Sequence, residues 1–255
     1  MAESASRSRI IFLGATGETG RQALAAALAS PAVAAVYSFG RTAPKVDNNP
    51  AKLHHSTIDF EALLKEDGNG AESAKLREVD ADAVVIALGT TRKNAGSAEA
   101  FERIDRLFPL AAAKAARTEG KQQRVVLVSA QASNSSSSFL YPRSKGLTEE
   151  GVAALGYPEV FIFRPGYLAV PGGRGESRLA ESVFGGVTNF FSSFTNSLQI
   201  PTPVLGAALV NAATKPLDQV KKAPFGQLET LKNHPVWAVN NAAAIQLGEG
   251  KGPKI

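Results

Sequence analysis

Short runs of apolar, mostly β-branched residues alternate along the chain with longer alanine-rich stretches. A strand followed by a helix, repeated several times, is typical of a parallel sheet that helices cover on both faces. The pattern therefore predicts an α/β fold built on a doubly wound, mostly parallel sheet. The predicted strands span residues 9–13, 33–39, 53–58, 83–88, 124–129 and 159–164.

The predicted helices carry apolar residues at helical spacing, as at Phe101 and Phe108. Pro109 lies inside the third helix, where its missing N–H and its ring predict a kink. A last apolar run at residues 227–231 predicts one more strand, followed by a helix that opens near His234. The predicted helices before that run span residues 18–29, 61–65, 98–117 and 141–155.

The alternation of strands and helices changes after Arg164, where a glycine-rich break at residues 171–175 precedes an aromatic segment. We expect residues 167–226 to form a small C-terminal cap within a single domain that spans residues 1–255. The cap is expected to close over the ligand as an apolar lid, with ordinary core, a subunit contact or a membrane contact as alternatives. Its aromatic residues are Phe184, Phe190, Phe191 and Phe194.

Composition narrows the chemistry. Of 255 residues, 44% are hydrophobic and 20% charged, and 28 Lys and Arg against 23 Asp and Glu leave a net charge of +5. This surplus is too small and dispersed to indicate nucleic-acid binding. Cysteine is absent and the three histidines match no metal-ligand spacing, so no metal site is expected. We expect no transmembrane helix and no cleaved signal, and a cytoplasmic location.

A glycine-rich loop follows the first predicted strand directly and leads into a helix. Gly14 permits a tight turn, Gly17 lets the backbone approach a pyrophosphate, and Gly20 lets the helix pack closely on the strand. The helix N-terminus then presents amide donors to the phosphates. This order predicts a Rossmann domain that binds a dinucleotide. The predicted cofactor-binding residues of the loop are Gly14, Thr16, Gly17, Glu18, Thr19 and Gly20.

The end of the second strand bears on which dinucleotide is bound. NAD-type domains carry an acidic residue there that binds the ribose 2′-hydroxyl. This chain carries Arg41 instead, with Arg21 and Lys45 as further cations, so we expect NADP(H). Arg41 as an ordinary solvated cation is the alternative. Asp59 ends the third strand and is expected either to bind the adenine edge or to cap the next helix.

Tyr141 and Lys145 open the helix that follows the fifth strand, and residues four apart share a helix face. Reduction of a carbonyl needs a proton donor at the oxygen, and a nearby ammonium lowers the pKa of a tyrosine toward that task. We expect Tyr141 as the acid, with Lys145 tuning it and holding the nicotinamide ribose. Ser129 is expected to bind the same carbonyl oxygen, with Ser133 as the alternative. Pro142 suits the helix only within its first turn.

These motifs together resemble the Tat-interacting-protein oxidoreductase family, an atypical group of short-chain dehydrogenases/reductases with fungal relatives at the mitochondrial outer membrane. The resemblance spans most of the first 170 residues, and peripheral attachment to that membrane is the alternative location it implies. The matching stretches are GATGETGR at residues 14–21, ALGTTRKNAG at 87–96, FLYPRSKG at 139–146 and FRPG at 163–166.

The resemblance implies roles for further residues. Gly89 and Thr90 are expected to border the cofactor. The stretch Arg164, Pro165 and Gly166 is expected near the nicotinamide. The resemblance also supports a catalytic set, which is Ser129, Tyr141 and Lys145. One departure is that similar family members carry two serines where this chain has Ser129 and then Ala130.

Two functions are consistent with these features. The first is an NADPH-dependent reductase of a small apolar carbonyl substrate, with hydride from the cofactor and a proton from Tyr141. The second is a non-catalytic dinucleotide sensor that binds protein partners. The fold alone does not separate them. The Tyr141 and Lys145 pair favours the enzyme, because a sensor has no need of it. The sequence does not indicate an oligomeric state.

Overall fold

The computed structural model describes residues 7–47, 50–169, 199–221 and 226–250. Its central strands follow the apolar runs of the sequence, because a strand buried on both faces needs continuous hydrophobic residues. The strands are β1 Ser8–Leu13, β2 Val33–Gly40, β3 Leu53–Thr57, β4 Ala83–Ile86, β5 Arg124–Val128, β6 Glu159–Arg164, β7 Tyr167–Ala169, β8 Gln199–Pro201, β9 Gln227–Leu231 and β10 His234–Asn240.

The helices fall between the strands, as the alternating pattern predicts. A π-helical segment, Arg103–Leu107, separates two of them. The helices are α1 Glu18–Ala29, α2 Phe60–Glu66, α3 Ala71–Arg77, α4 Arg92–Ala95, α5 Ala98–Glu102, α6 Phe108–Ala116, α7 Leu140–Ala153, α8 Thr202–Thr214, α9 Leu217–Val220 and α10 Asn241–Glu249.

Within the described residues, one sheet holds eight strands in the order β3-β2-β1-β4-β5-β6-β10-β9. All neighbours pair in parallel except β9, which runs antiparallel to β10 at the edge. The first six strands have the doubly wound order, with a switch point between β1 and β4. The predicted α/β fold with a mostly parallel Rossmann sheet is confirmed.

Two apolar layers cover the sheet. Alternate residues of β1 point to opposite faces: Ile10 and Phe12 join one core, and Ile11 and Leu13 join the other. Helices α1, α8 and α10 contribute to the first core, and α2, α3, α6 and α7 to the second. Both faces are therefore closed, which leaves the strand ends for binding.

One sequence prediction differs from the structure at the C-terminal end. The strand at residues 227–231 is confirmed, but His234 opens strand β10 and the last helix begins only at Asn241. Lys232 and Asn233 have φ values of 44° and 73° and form a tight hairpin turn. The reversal lets the chain run back beside β6, where a helix was expected.

The predicted cap lies largely outside the described residues, including all four of its phenylalanines. Its described part includes α8, whose residues Leu205 and Leu209 are fully buried in the first core. Helix α8 therefore belongs to the helical layer on the sheet. The cap stays a prediction for residues 170–198.

Helix α8 packs so closely on α1 that Gly206 has no space for a side chain. A Cβ there would lie 2.6 Å from the carbonyl carbon of Gln22. We predict that Gly206→Ala lowers the free energy of unfolding by about 1–3 kcal/mol, because overpacking outweighs alanine's helix propensity. Urea unfolding measures it. Gly40→Ala is the control, since its Cβ would meet nothing closer than Thr42 O at 3.8 Å. A Gly206→Ala protein of wild-type stability would contradict this packing.

Candidate functional site

Four loops meet at the carboxyl ends of neighbouring parallel strands. Strands β1, β4, β5 and β6 are parallel neighbours, so their carboxyl ends lie side by side. The glycine loop leaves β1, Gly89 follows β4, Ser129 follows β5, and Arg164 ends β6. Ligands of open α/β sheets bind at these ends, next to the switch point. The topology thus places these sequence-predicted site residues along one cleft.

The glycine loop has the geometry expected of a phosphate cradle. Gly14 has a φ of +88°, and a Cβ there would lie 2.6 Å from the backbone of Ala87 beyond β4. Gly20 packs against the Gly14 carbonyl with no room for a side chain. Gly17 is exposed and precedes α1, and no side chain caps the first turn of that helix. The uncapped amide donors fit a pyrophosphate.

The residues expected near the adenosine end have separate environments. Arg41 is exposed directly after β2, and Arg21 pairs with Glu18 on the surface of α1. Lys45 borders a cavity of about 370 Å³ between the loop after β2 and strand β3. Asp59 caps α2, since its Oδ1 accepts from the amides of residues 61 and 62 at 2.9 and 3.1 Å. The structure thus gives the Asp59 carboxylate the capping role.

Tyr141 and Lys145 lie one turn apart on α7, with Lys145 Nζ 5.9 Å from the centroid of the phenol ring. The Phe101 ring packs on Tyr141, with their centroids 6.2 Å apart. Helix α7 begins at Leu140, so Pro142 falls within its first turn. The pair predicted from the sequence is therefore brought together beside the cleft.

Lys145 has a partner that the sequence reasoning missed. Its Nζ lies 2.9 Å from Oδ1 of Asp105, and the side chains are 10% and 0% exposed, respectively. A Cβ on Gly89 would lie 3.1 Å from that Oδ1 and 3.5 Å from Nζ. Gly89 thus lies directly against the ion pair. Because Gly89 is exposed, this pair lies just beneath the surface of the cleft.

The electrostatics of Tyr141 differ from the expectation. Burial raises the pKa of Tyr141, the Lys145 ammonium lowers it, and the Asp105 carboxylate raises it again, with a net rise. Burial alone would lower the pKa of Lys145, but Asp105 and the Tyr141 phenol raise it, and the net pKa is raised. The expected lowering of the Tyr141 pKa is wrong, because burial raises this pKa by more than the Lys145 ammonium lowers it, and Asp105 adds to the rise.

Pro109 places Asp105. A proline lacks the N–H that would bond the carbonyl four residues earlier, here that of Asp105. The structure has a π-helical segment over residues 103–107, ahead of α6. Thr148 Oγ1 of α7 donates to Ser144 O at 2.8 Å and lies 3.5 Å from the Asp105 carbonyl oxygen. The kink expected at Pro109 thus takes the form of a π-helical segment that brings Asp105 against α7.

Glu149 lies one further turn along α7 and is 3% exposed. Ser129 Oγ donates to its Oε1 at 2.5 Å, and Ser133 Oγ donates to the same oxygen. Arg164 Nη2 donates to Oε2 at 2.7 Å, and Arg164 Nη1 to Oε2 of Glu229 at 2.8 Å. Hydrogen bonds from Arg164 to Glu149 raise the pKa of the guanidinium further. Glu149 therefore anchors both candidate serines and Arg164.

These bonds change what the serines offer to a substrate. A hydroxyl has one proton and a carboxylate has none to give. While Ser129 and Ser133 donate to Glu149, their oxygens present only lone pairs to the cleft. A carbonyl oxygen also only accepts, so this arrangement does not provide the serine contact expected from the sequence. Tyr141 is left as the candidate proton donor of the set.

The other residues expected near the nicotinamide lie at the ends of β4 and β6. Thr90 is partly buried beside Gly89. After Pro165, the Gly166 amide donates to Asn241 Oδ1 at 2.9 Å, which ties the exit of β6 to the start of α10. The guanidinium of Arg164 is engaged by Glu149 and Glu229. Arg164 therefore has a structural role at the cleft, where it joins α7 to the edge strand β9.

Sequence reasoning missed Asp105, Glu149, Glu229 and Asn241. A signal existed for Glu149, which continues the four-residue spacing of Tyr141 and Lys145. The described residues hold no cluster of three or more His, Asp or Glu that could bind a metal ion. Nor does any described helix combine the length and the apolar character that a membrane crossing requires.

Comparison with known proteins places the chain. It is 33% identical over 246 residues to the mitochondrial protein Fmp52 of Emericella nidulans, a match that covers 95% of this chain and 99% of the relative. The chain belongs to the Fmp52 family. Fmp52-2 of Scheffersomyces stipitis is 35% identical over 231 residues, covering 87% of this chain and 93% of that protein. No protein-family model matches the sequence.

Solved structures show the same fold at low identity. A nucleoside-diphosphate-sugar epimerase of Agrobacterium tumefaciens has a TM-score of 0.64 at 15% identity, covering 97% of this chain and 83% of the epimerase. WbmH of Bordetella bronchiseptica, solved with NAD⁺, has a TM-score of 0.60 at 14% identity, with coverages of 82% and 73%. A short-chain dehydrogenase/reductase of Saccharomyces cerevisiae has a TM-score of 0.56 at 15% identity, and the match covers 81% of this chain and 90% of that protein. These likenesses support a short-chain-dehydrogenase-like fold.

The names of the Fmp52 relatives correct one expectation. The Emericella, Candida and Scheffersomyces proteins are each named as mitochondrial. The cytoplasmic location expected from the sequence is therefore wrong. The lack of a predicted membrane span or cleaved signal does not determine where a protein resides, so the names of the relatives decide against that expectation.

Removing one partner of the buried Glu149 ion pair should be strongly destabilising, because it leaves the other charge without this partner. We predict that Glu149→Gln lowers the free energy of unfolding by about 3 kcal/mol, the lower end for a broken buried pair, since Arg164 keeps Glu229. Glu61→Gln is the matched control, because Glu61 pairs with Arg103 and the two side chains are 49% and 43% exposed. It should cost less than about 1 kcal/mol. Urea unfolding compares them, and equal losses would contradict the buried role of Glu149.

Proposed function

We propose that the protein is an NADPH-dependent oxidoreductase of the short-chain dehydrogenase type that reduces a small carbonyl compound. One observation carries the proposal: Tyr141 and Lys145 lie together on α7 beside the cleft, and Lys145 is buried next to a carboxylate. A phenol beside a held ammonium is a proton donor suited to a carbonyl oxygen.

The cleft fits a dinucleotide. The backbone at Gly14 and Gly17 and the first turn of α1 would hold the pyrophosphate, and Lys145 would hold the nicotinamide ribose. WbmH, which has a similar fold, was solved with NAD⁺. NADPH, when bound, supplies a hydride to the carbonyl carbon. Gly89 leaves the space in front of the Lys145 ammonium free of side-chain atoms.

The chain's own residues then complete the reaction. Tyr141 gives its phenol proton to the carbonyl oxygen as negative charge develops there, and it regains a proton from solvent. Lys145 stabilises the phenolate that Tyr141 becomes. Glu149 fixes Ser129 and Ser133 as acceptors, so they bind a donor group of the ligand and leave protonation to Tyr141.

Several narrower assignments belong to this proposal. Arg41 favours NADPH over NADH. A cap over residues 170–198 would shape an apolar pocket and exclude water. The GTTR, FLYPRSKG and FRPG stretches support relationship to the Tat-interacting-protein oxidoreductases. The names of the Fmp52 relatives support a mitochondrial location.

A non-catalytic dinucleotide sensor is the competing function. The burial of an ion pair beside Tyr141 favours the enzyme over it. Burying two charges costs desolvation free energy that an apolar pair would not incur. A sensor of cofactor occupancy has no use for a phenol at that position.

We predict that Tyr141→Phe lowers the rate of carbonyl reduction by about 10²- to 10⁴-fold, the usual contribution of a general acid. NADPH affinity should not change, because the phenol does not anchor the nucleotide. NADPH oxidation is followed over a panel of aliphatic and aromatic aldehydes and ketones, and affinity by NADPH fluorescence. Tyr37→Phe is the control, since Tyr37 stacks on His54 in the second and third strands.

Each result of this test has a meaning. A Tyr141→Phe protein that reduces carbonyls at the wild-type rate would overturn the role of Tyr141. Tight NADPH binding without turnover of any carbonyl in the panel would favour the sensor and overturn the enzyme. Loss of activity in the Tyr37→Phe control would show that the change acts through the fold.

We predict that Arg41→Ala weakens NADPH binding by about 10- to 100-fold, because a charge-assisted hydrogen bond is worth about 1.5–3 kcal/mol. NADH binding should stay nearly unchanged, since NADH lacks the 2′-phosphate. Calorimetric titration of both nucleotides measures this. Arg77→Ala removes a surface arginine of α3 as a control. Equal losses for the two nucleotides would show that Arg41 does not contact the 2′-phosphate.

A further inference from the structure

Asp105 is a buried carboxylate that takes no part in the proton and hydride transfers of the proposed reaction. Its side chain is 0% exposed and lies on the π-helical segment, 2.9 Å from Lys145 Nζ. Oδ2 makes no hydrogen bond to any residue that the structure describes. A buried carboxylate with so few partners costs stability, so its position beside the reacting pair calls for a functional reason.

The charges around Lys145 are few. The titratable groups on α7 that act on Lys145 are Tyr141 and Glu149, and the π-helical segment adds the carboxylate of Asp105. Glu149 is already paired with Arg164 of β6, whose other end holds Glu229 of β9. The facing β4 end contributes Gly89, which carries no charge. Asp105 is therefore the counter-ion of Lys145, and no other cation of the described residues forms an ion pair with it.

Without Asp105, the ammonium would be buried as an isolated charge, and such a group loses its proton readily. With Asp105, the pair is neutral overall and the ammonium persists. The same carboxylate opposes ionisation of the phenol beside it, because phenolate and carboxylate repel. Both effects keep protons on the two groups that proton donation requires.

We propose that Asp105 is a positioning residue of the Tyr141 and Lys145 pair: it holds Lys145 as an ammonium and Tyr141 as a phenol, so that the site is set to donate a proton. Asp105 touches neither substrate nor cofactor in this role and acts through Lys145. The inference rests on the proposed function for its use in catalysis. It favours carbonyl reduction over alcohol oxidation, because oxidation needs the phenolate as a base.

The test is an NMR titration of the free protein with isotopically labelled tyrosine and lysine side chains. Signals of Tyr141 and Lys145 are assigned with Tyr141→Phe and Lys145→Met. Asp105→Asn keeps the shape and removes one negative charge, so the three-residue cluster changes from neutral to positive. We predict that the first proton leaves the pair at a pH lower than in wild type by about one to three units.

Two variants make the result specific. Glu102→Gln is the matched control: Glu102 lies just before the π-helical segment and pairs with Arg106, so the titration should not move. The double variant Asp105→Asn with Lys145→Met leaves no charge on either of these two side chains. Tyr141 should ionise at lower pH in this double variant than in Lys145→Met alone. That comparison still decides the question if Asp105→Asn alone does not fold.

An unchanged or higher midpoint in Asp105→Asn, or equal Tyr141 midpoints in Lys145→Met with and without Asp105, would overturn the proposal. The titration needs neither substrate nor cofactor, so its outcome is independent of carbonyl turnover. If the wild-type protein reduces a carbonyl, the alkaline limb of its kcat/KM profile should move to lower pH in Asp105→Asn by the same interval. Absence of turnover with a shifted titration would reject the enzyme and leave the charge role of Asp105 intact.

Discussion

A charge buried in protein is stable only beside a counter-charge or several hydrogen bonds, and α7 buries two charges one turn apart. Lys145 and Glu149 both turn into the protein from one face of this helix. Asp105 is the counter-charge of Lys145, and Arg164 is the counter-charge of Glu149. The exits of β4, β5 and β6 meet these two pairs: Gly89 lies against the first pair, and Ser129 and Arg164 contact Glu149 of the second.

The pairs reach into different parts of the molecule. The π-helical segment brings Asp105 to Lys145. This segment follows from Pro109, which lies four residues after Asp105 and has no N–H to bond the Asp105 carbonyl. Arg164 ends β6 and spans Glu149 and Glu229, so it links a helix to the edge strand β9. Ser129 and Ser133 then take their orientation from Glu149. One helix face thus organises both the proton donor and the neighbouring acceptor groups.

The sequence was sufficient for the doubly wound sheet, the glycine loop and the Tyr141 and Lys145 pair, because each depends on residues close together in the chain. It was insufficient where partners come from distant segments. Asp105 is forty residues from Lys145 and carries no local sign of its role. The hairpin at Lys232 and Asn233 lacks the glycine that usually marks such turns, so the sequence does not indicate that β10 follows β9 as a strand.

The energetic cost of these pairs bears on what the cleft is for. An apolar pair of similar volume often stabilises a protein as well as a buried ion pair or better, so stability alone does not require Asp105 and Lys145 to be charged. The Glu149 carboxylate accepts five hydrogen bonds, two from the serines and three from the Arg164 guanidinium. These bonds offset the desolvation of the pair. Asp105 has no such compensation at Oδ2. The less satisfied pair is the one beside the phenol and under Gly89, where a held proton has chemical use.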